Sequence, residues 1–155
     1  FSPSKKVSIE RYYPTMTPEE LRALKIPIDV NAALFLWVTA PKLVEGLELL
    51  KSWGFQYKTN AVWDKDCIGM GYWFLGQHEL LLVGTKGIFK PPKAKWRVAS
   101  VYIENTRIHA KKPDYFRDII TRAYPRWNKL ELFARDKHPG WDIWGNEVDN
   151  DIELV

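Results

Sequence analysis

An α/β fold, an open and mainly parallel sheet flanked by helices, is what this sequence predicts. Three observations carry the prediction. Short apolar runs, Leu34 to Val38, Leu80 to Val83 and Leu130 to Ala134, are too brief for helices and suit strands covered on both faces. Helical spacing separates them, with Leu43, Val44, Leu47, Leu50 and Trp53 in one segment and Phe116, Ile119, Ile120 and Ala123 in another. Finally, 155 residues, 46% of them hydrophobic and 14% aromatic, are enough for one domain with its own core and too few for two.

The elements follow in order. Residues Phe1 to Tyr13 show no period and read as a polar loop. Thr17-Pro18-Glu19-Glu20 is a helix start, with Thr17 as cap, Pro18 where a missing N–H costs nothing, and Glu20 reaching back to complete a capping box. That helix runs to about Leu24, and Leu34 to Val38 is the first strand. Thr39 and Pro41 cap a second helix that Gly54 ends, and Phe55 to Trp63 is the next strand. Strand, helix and strand within about thirty residues make a βαβ unit with a right-handed crossover. Asp64 to Gly76 reads as a glycine-rich loop carrying Tyr72, Trp73 and Phe74, before a strand at Glu79 to Gly84. Pro91-Pro92 places the following basic stretch in an exposed loop. Val98 to Ile103 reads as a strand, Pro113 opens a helix that Pro125 stops, and Leu130 to Ala134 is the last clear strand before a segment rich in Gly, Pro and Trp. In open sheets of this class, ligands bind beyond the strand ends.

Composition removes several classes of protein. No apolar run approaches the roughly 20 residues of a membrane span, and the first residues carry no signal-peptide core, so a cytoplasmic protein is expected. The single Cys67 provides neither an internal disulfide nor a cysteine-rich zinc site. Because the first residue is Phe1 rather than an initiator Met, these residues are expected to be the remainder of a longer gene product. Lys and Arg exceed Asp and Glu by 23 to 19, and the excess is segregated. Lys86, Lys90, Lys93, Lys95 and Arg97 crowd one stretch without an acid, whereas Asp142, Glu147, Asp149, Asp151 and Glu153 crowd another without a base.

Standard catalytic signatures are missing: there is no Gly-x-Ser-x-Gly elbow, no Walker loop, no His-Glu-x-x-His helix and no complete dinucleotide fingerprint. Polar residues at strand ends remain. His78 and Glu79 precede one strand, while Glu131 and Arg135 bracket another. Cations there can hold a carboxylate, and carboxylates can accept ribose or amine protons, although a solvated strand edge explains each equally simply. Asn146 offers an amide suited to ribose hydroxyls, and a turn residue is its alternative reading. Lys93, Lys95 and Arg97 interleaved with Phe89 and Trp96 suit phosphates and bases, and plain soluble surface suits them too. Trp37, Trp53 and Trp63 lie in apolar periodic contexts and are expected in the core, leaving Trp73 as the better ligand contact.

Read together, Tyr13-Pro14-Thr15-Met16, Leu34-Phe35-Leu36-Trp37-Val38-Thr39, Gly71-Tyr72-Trp73-Phe74, Gln77-His78-Glu79, Lys112-Pro113, Leu130-Glu131-Leu132-Phe133-Ala134-Arg135 and Gly145-Asn146-Glu147 have the order of a known family. The chain resembles the MT-A70 adenine methyltransferases from Tyr13 to Val148, in wording nearer the compact bacterial or phage members. The resemblance implies a Rossmann-like methyltransferase fold, S-adenosylmethionine as cofactor without a metal, and methylation of the exocyclic amine of adenine, with DNA preferred over RNA as partner. It further implies that Asn146 and Glu147 hold the cofactor's ribose and adenine, that Arg135 lies in the same pocket, where the strand-end Glu131 is also expected, and that His78 faces its methionine end. Tyr13 and the loop around Trp73 would enclose the target base.

One family element is not in these 155 residues. Its Asp-Pro-Pro-Trp signature is expected upstream of Phe1, with the strand that carries it. The adenine amine is a poor nucleophile because its lone pair is delocalised into the ring, and the acceptors of that signature orient and polarise it. A non-catalytic relative that binds nucleic acid or scaffolds an active partner is the competing expectation. Homodimer or heterodimer contacts on the Lys51 to Tyr57 turn or the basic loop stay open.

Overall fold

The computed structural model describes residues 16–108 and 111–154, so Tyr13 lies outside the described residues. The first helix, α1 (Pro18–Ala23), forms as its local chemistry requires. Glu20 N donates to Thr17 Oγ1 at 3.2 Å, and Thr17 N donates to the Glu20 carboxylate at 2.7 Å. Each side chain thereby satisfies a backbone donor that the first turn leaves unpaired. Strand β1 (Ala32–Thr39) leads through one 3₁₀ turn, Ala40–Lys42, into α2 (Leu43–Ser52). Thr39 makes no side-chain cap, contrary to expectation, because that turn stands between it and the helix proper. Gly54 ends the helical segment at φ +87°, a left-handed backbone that glycine adopts without a Cβ penalty, and β2 (Gln56–Asp64) follows. The Trp53 indole donates to Leu21 O at 3.1 Å and binds α1 to the end of α2.

Strand β3 (His78–Lys86) corrects the expected topology. It lies between β1 and β2 and runs antiparallel to both, giving the sheet order β1-β3-β2-β4, with β4 (Val101–Ile103) parallel to β2. Thus β1 and β2 do share a direction, as strand-helix-strand connectivity requires, but they are not neighbours. The sheet is mixed rather than mainly parallel. An antiparallel partner needs only a loop to reverse the chain, and residues 65–77 supply it. The apolar run of β3 earns the central place: Leu81 and Leu82 point to opposite faces and are both buried.

Each face has its own packing. Leu82 joins Val38, Leu50, Trp53 and Phe55 on the α2 side. Leu81 joins Trp63 and Phe116 on the side covered by α3 (Asp114–Ala123). Trp53 and Trp63 are core residues as expected, whereas Trp37 is only half buried and meets Trp63 and Phe116 edge-on. Burying a side chain of Leu or Phe size contributes about 1.5–3 kcal/mol, so this double packing dominates the sheet's stability. A second, two-stranded parallel sheet pairs β5 (Leu130–Leu132) with β6 (Asp142–Trp144). Strand β5 is shorter than its sequence suggests because Phe133 takes φ +59°, which breaks the extended run. No helix among the described residues is long and apolar enough to cross a membrane.

Candidate functional site

A cleft of about 1310 Å³ lies where the two sheets approach, and its walls are read directly from the strands. Leu34 and Leu36 belong to one face of β1, Phe35 and Trp37 to the other, yet all four line it, as do the consecutive residues Leu130, Glu131 and Leu132 of β5. Neighbouring strand residues point to opposite faces, so the cleft runs along strand edges rather than over one face. Strand β1 ends its sheet, and among the described residues no strand pairs with its outer edge.

Two charged groupings furnish the cleft. In the first, Lys112 lines the wall and its ammonium pairs with Glu79, which is buried. Lys65 Nζ approaches the other Glu79 oxygen at 3.7 Å. Lys112 Nζ also sits 5.7 Å from the ring centroids of Trp37 and Trp63, within reach of a cation–π attraction. In the second, Arg117 joins three acids. Its Nη1 lies 2.6 Å from Glu131 and 3.4 Å from Asp136, and its Nη2 lies 2.8 Å from Asp114. Burial opposes the Arg117 charge, but hydrogen bonds to Asp114 and Glu131 and the charges of Glu131 and Asp136 outweigh it and raise its pKa.

Local chain geometry sets the far wall. Gly145 lies so close to the end of β5 that a Cβ there would come within 2.3 Å of Ala134 O. Only glycine allows this approach. Ala134 N donates to Trp144 O at 3.0 Å, and Gly145 N donates to the Asn150 side chain at 2.7 Å, holding the turn that follows β6. Arg135 Nε and Glu147 Oε2 consequently meet at 3.2 Å. Phe133, turned out by its left-handed backbone, adds an aromatic wall.

Of the residues expected at a cofactor, Glu131, Arg135 and Glu147 line this cleft together. Asn146 is exposed in the same turn as Glu147 but is not part of the lining. His78 is not brought there. It is exposed at the start of β3 opposite Asp64, and strand alternation turns it away from the face that carries Glu79. Lys112 instead lines the cleft, a residue that the sequence singled out only within its Lys112-Pro113 motif. Its signal was the Lys-Pro pair opening α3, but its partner Glu79 stands 33 positions away and no local pattern joins them. Arg117 was missed altogether.

The residues expected at a nucleic-acid substrate are spread more widely. Trp73 is 96% exposed in the loop between β2 and β3, beside equally exposed Met70 and Tyr72. The base of that loop is closed at Asp64, whose Oδ1 accepts from Gln77 Nε2 at 3.0 Å and Asp66 N at 2.9 Å. These bonds, Gln77 first, lower the Asp64 pKa. Lys93, Lys95 and Arg97 are exposed in the loop leaving the other end of β3. Arg97 Nε donates to Pro92 O at 3.0 Å, Lys95 lies 5.3 Å from the Trp96 ring centroid, and the Tyr124 phenol donates to Lys90 O at 2.9 Å. The loop is therefore an anchored basic surface whose Phe89 lines the cleft while Lys93, Lys95 and Arg97 stay outside it. A shallower depression of about 880 Å³, lined in part by Arg126, Lys137, His138 and Trp141, holds none of the residues expected at a cofactor.

A mixed α/β sheet flanked by helices, with a long cleft along strand edges lined by opposed charges and aromatic walls, is consistent with the fold of Rossmann-like methyltransferases. Within that class the chain belongs to the MT-A70 family, whose match covers residues 2–147. It is 40% identical over 146 residues to the type II methyltransferase M.MunI of Mycoplasma sp, which covers 92% of this chain and 63% of that relative. It is 32% identical over 160 residues to the N(6)-adenosine-methyltransferase MT-A70-like protein of Arabidopsis thaliana, covering 96% of this chain and 23% of the relative. A similar likeness, 32% over 155 residues, relates it to the human N(6)-adenosine-methyltransferase catalytic subunit METTL3, with 92% of this chain and 26% of the relative covered. The chain thus spans 63% of the Mycoplasma relative and about a quarter of the other two. Membership brings S-adenosylmethionine as the cofactor.

The donor set suits that molecule. It needs a cation for its carboxylate, acceptors for its ribose hydroxyls and amines, and apolar walls for its adenine, and the cleft lining includes Lys112, Glu131 with Glu147, and Phe35 with Phe133, side chains of those types. A cleft larger than the roughly 300–1,000 Å³ usual for small ligands leaves room for a second one beside it.

Proposed function

We propose that this chain is the cofactor-binding and substrate-binding body of an enzyme that methylates the exocyclic amine of adenine in nucleic acid. The observation that supports the reading best is the convergence of Glu131, Arg135 and Glu147 with Lys112 in one cleft, in a member of the MT-A70 family. Bound S-adenosylmethionine supplies an electrophilic methyl group. The chain's own residues hold and orient it: Lys112 pairs with the carboxylate, Glu131 and Glu147 accept hydroxyl protons, and Asn146 closes the ribose end from the adjoining turn.

Nucleic acid meets the exposed groups. Trp73 offers an aromatic face on which an extruded base can stack, and a target within a duplex must be flipped out at a cost of a few kcal/mol that such stacking offsets. Lys93, Lys95 and Arg97 neutralise phosphates without reading sequence. Orientation and polarisation of the amine are the work of the family's Asp-Pro-Pro-Trp signature.

DNA is the substrate favoured by the bacterial wording of the motifs. RNA is the second reading, because several relatives are named N(6)-adenosine-methyltransferases. A non-catalytic nucleic-acid-binding member is the third. One experiment separates them: the natural-length protein is incubated with S-adenosylmethionine and mixed DNA and RNA oligonucleotides, and methylated adenine is read by mass spectrometry. Product on one polymer is expected and names the substrate. Cofactor bound with no product on either would leave the binding member, and no cofactor bound would refute the whole reading.

A further inference from the structure

Arg117 has no role in the proposed chemistry so far, yet it is the most heavily engaged charge in the cleft. Its side chain is only 14% exposed and lies within 3.4 Å of three carboxylates, those of Asp114, Glu131 and Asp136. The three acids are 53%, 32% and 55% exposed, so solvent reaches every partner better than it reaches the arginine. A fork of fixed N–H groups imposes direction on its partners that a flexible ammonium would not.

The arrangement at Glu131 is specific. Arg117 takes Oε2 at 2.6 Å, and among the described residues Oε1 has no hydrogen-bond partner. Glu131 lines the cleft through β5, whose short span and abrupt end at Phe133 fix its backbone. A carboxylate held by one oxygen, on a strand that lines the cleft, is a preset acceptor for a hydroxyl at the other. With one guanidinium against three carboxylates the site stays net negative, which strengthens the carboxylate as a proton acceptor. A ribose hydroxyl is the cofactor group that a strand-end carboxylate of this kind of sheet accepts from.

We infer that Arg117 is a positioning residue that holds the Glu131 carboxylate in the orientation that accepts a ribose hydroxyl of the cofactor. This rests on the reading of the cleft as the S-adenosylmethionine site. Arg117 touches no ligand itself, and its effect passes through one oxygen of Glu131. Neither Asp114 nor Asp136 can replace it, because removing the guanidinium leaves three like charges together and Glu131 free to rotate away.

The test is calorimetric binding of S-adenosylhomocysteine and its 2′-deoxyribose analogue to the chain and to Arg117→Met, Arg117→Lys, Glu131→Gln and the double variant Arg117→Met with Glu131→Gln. Wild type is expected to bind the ribose form about tenfold more tightly than the deoxy form, the order of one hydrogen bond to a charged acceptor. Arg117→Met should abolish that preference, Arg117→Lys should recover part of it, and the double variant should bind no worse than Glu131→Gln alone. Additive losses, or a full ribose preference in Arg117→Met, would overturn the inference. If Arg117→Met does not fold, Arg117→Lys and Glu131→Gln still decide it: a lysine variant with wild-type preference, or a glutamine variant that keeps it, refutes the role. A flat isotherm for wild type would instead remove the cofactor reading on which the inference rests, and the two failures are thus distinct.

Discussion

Lys112→Met is the substitution that separates the structural work of the cleft from its chemistry. Methionine keeps an aliphatic stem against Trp37 and Trp63 while deleting the charge that faces Glu79. Breaking a fully buried ion pair from one side costs about 3–5 kcal/mol, because the remaining charge is left uncompensated. Here Glu79 is buried but Lys112 is 35% exposed, and Lys65 remains 3.7 Å from the other oxygen. Partial solvation and a second cation reduce the expected loss to about 1–2 kcal/mol. Urea denaturation should therefore show a lower midpoint with an unchanged slope. Affinity for S-adenosylmethionine should fall roughly 10- to 150-fold in the same variant, the equivalent of a charge-assisted bond of about 1.5–3 kcal/mol. Adding Glu79→Gln removes the orphaned charge, so the double variant should regain stability without regaining affinity. A Lys112→Met protein with the wild-type urea midpoint would refute the ion-pair reasoning. Recovery of affinity together with stability in the double variant would show that Lys112 acts on the fold and not on the ligand.

Other expectations follow from the same geometry. Asn146→Ala with Glu147→Ala should weaken cofactor binding while leaving the melting temperature nearly unchanged, since Asn146 is exposed and a surface pair such as Arg135 with Glu147 contributes about 0–1 kcal/mol; calorimetry and thermal melts check both halves. Charge reversal at Lys93 and Lys95 should weaken nucleic-acid binding uniformly across sequences and flatten its dependence on salt, as measured by fluorescence anisotropy from low to high ionic strength. Burial pushes the Tyr124 phenol above its ordinary value of 10.0. A folded-state pKa raised above the unfolded one stabilises below pH 10 and loses that contribution as pH rises through the folded value. The stability difference between wild type and Tyr124→Phe should accordingly shrink above pH 10, as followed by urea midpoints.

Elements governed by neighbours in the chain were legible in the sequence. The α1 cap spans three residues and both of its bonds form. The Gly54 stop, the loop between β2 and β3 and the exposure of Trp73 likewise follow from local composition. Strand order was not legible, because β3 reads as the same apolar run whether it lies at an edge or between β1 and β2. Only the pairing of Leu36 with Leu82 and of Asn60 with Leu82, far apart in sequence, fixes that choice. Strand β6 escaped notice because three residues among Gly, Pro and Trp carry no periodic signal. The candidate site divides along the same line. Glu131 and Arg135 were read from the ends of their strand and Glu147 from motif resemblance, whereas Lys112 with Glu79 and Arg117 with Glu131 depend on contacts across 33 and 14 positions. His78 shows the limit of reading a role from a residue's place beside Glu79, since the strand turns the two to opposite faces.

The outer edge of β1 also determines how this polypeptide behaves as a material. Eight residues, Ala32–Thr39, present a row of backbone donors and acceptors that no strand among the described residues pairs with, and their side chains are mostly apolar. Such an edge is a template for whatever extended chain meets it first. A lysine in place of Phe35 would blunt the template, and the gain in monodispersity would measure how much of the protein's colloidal behaviour originates in a single strand.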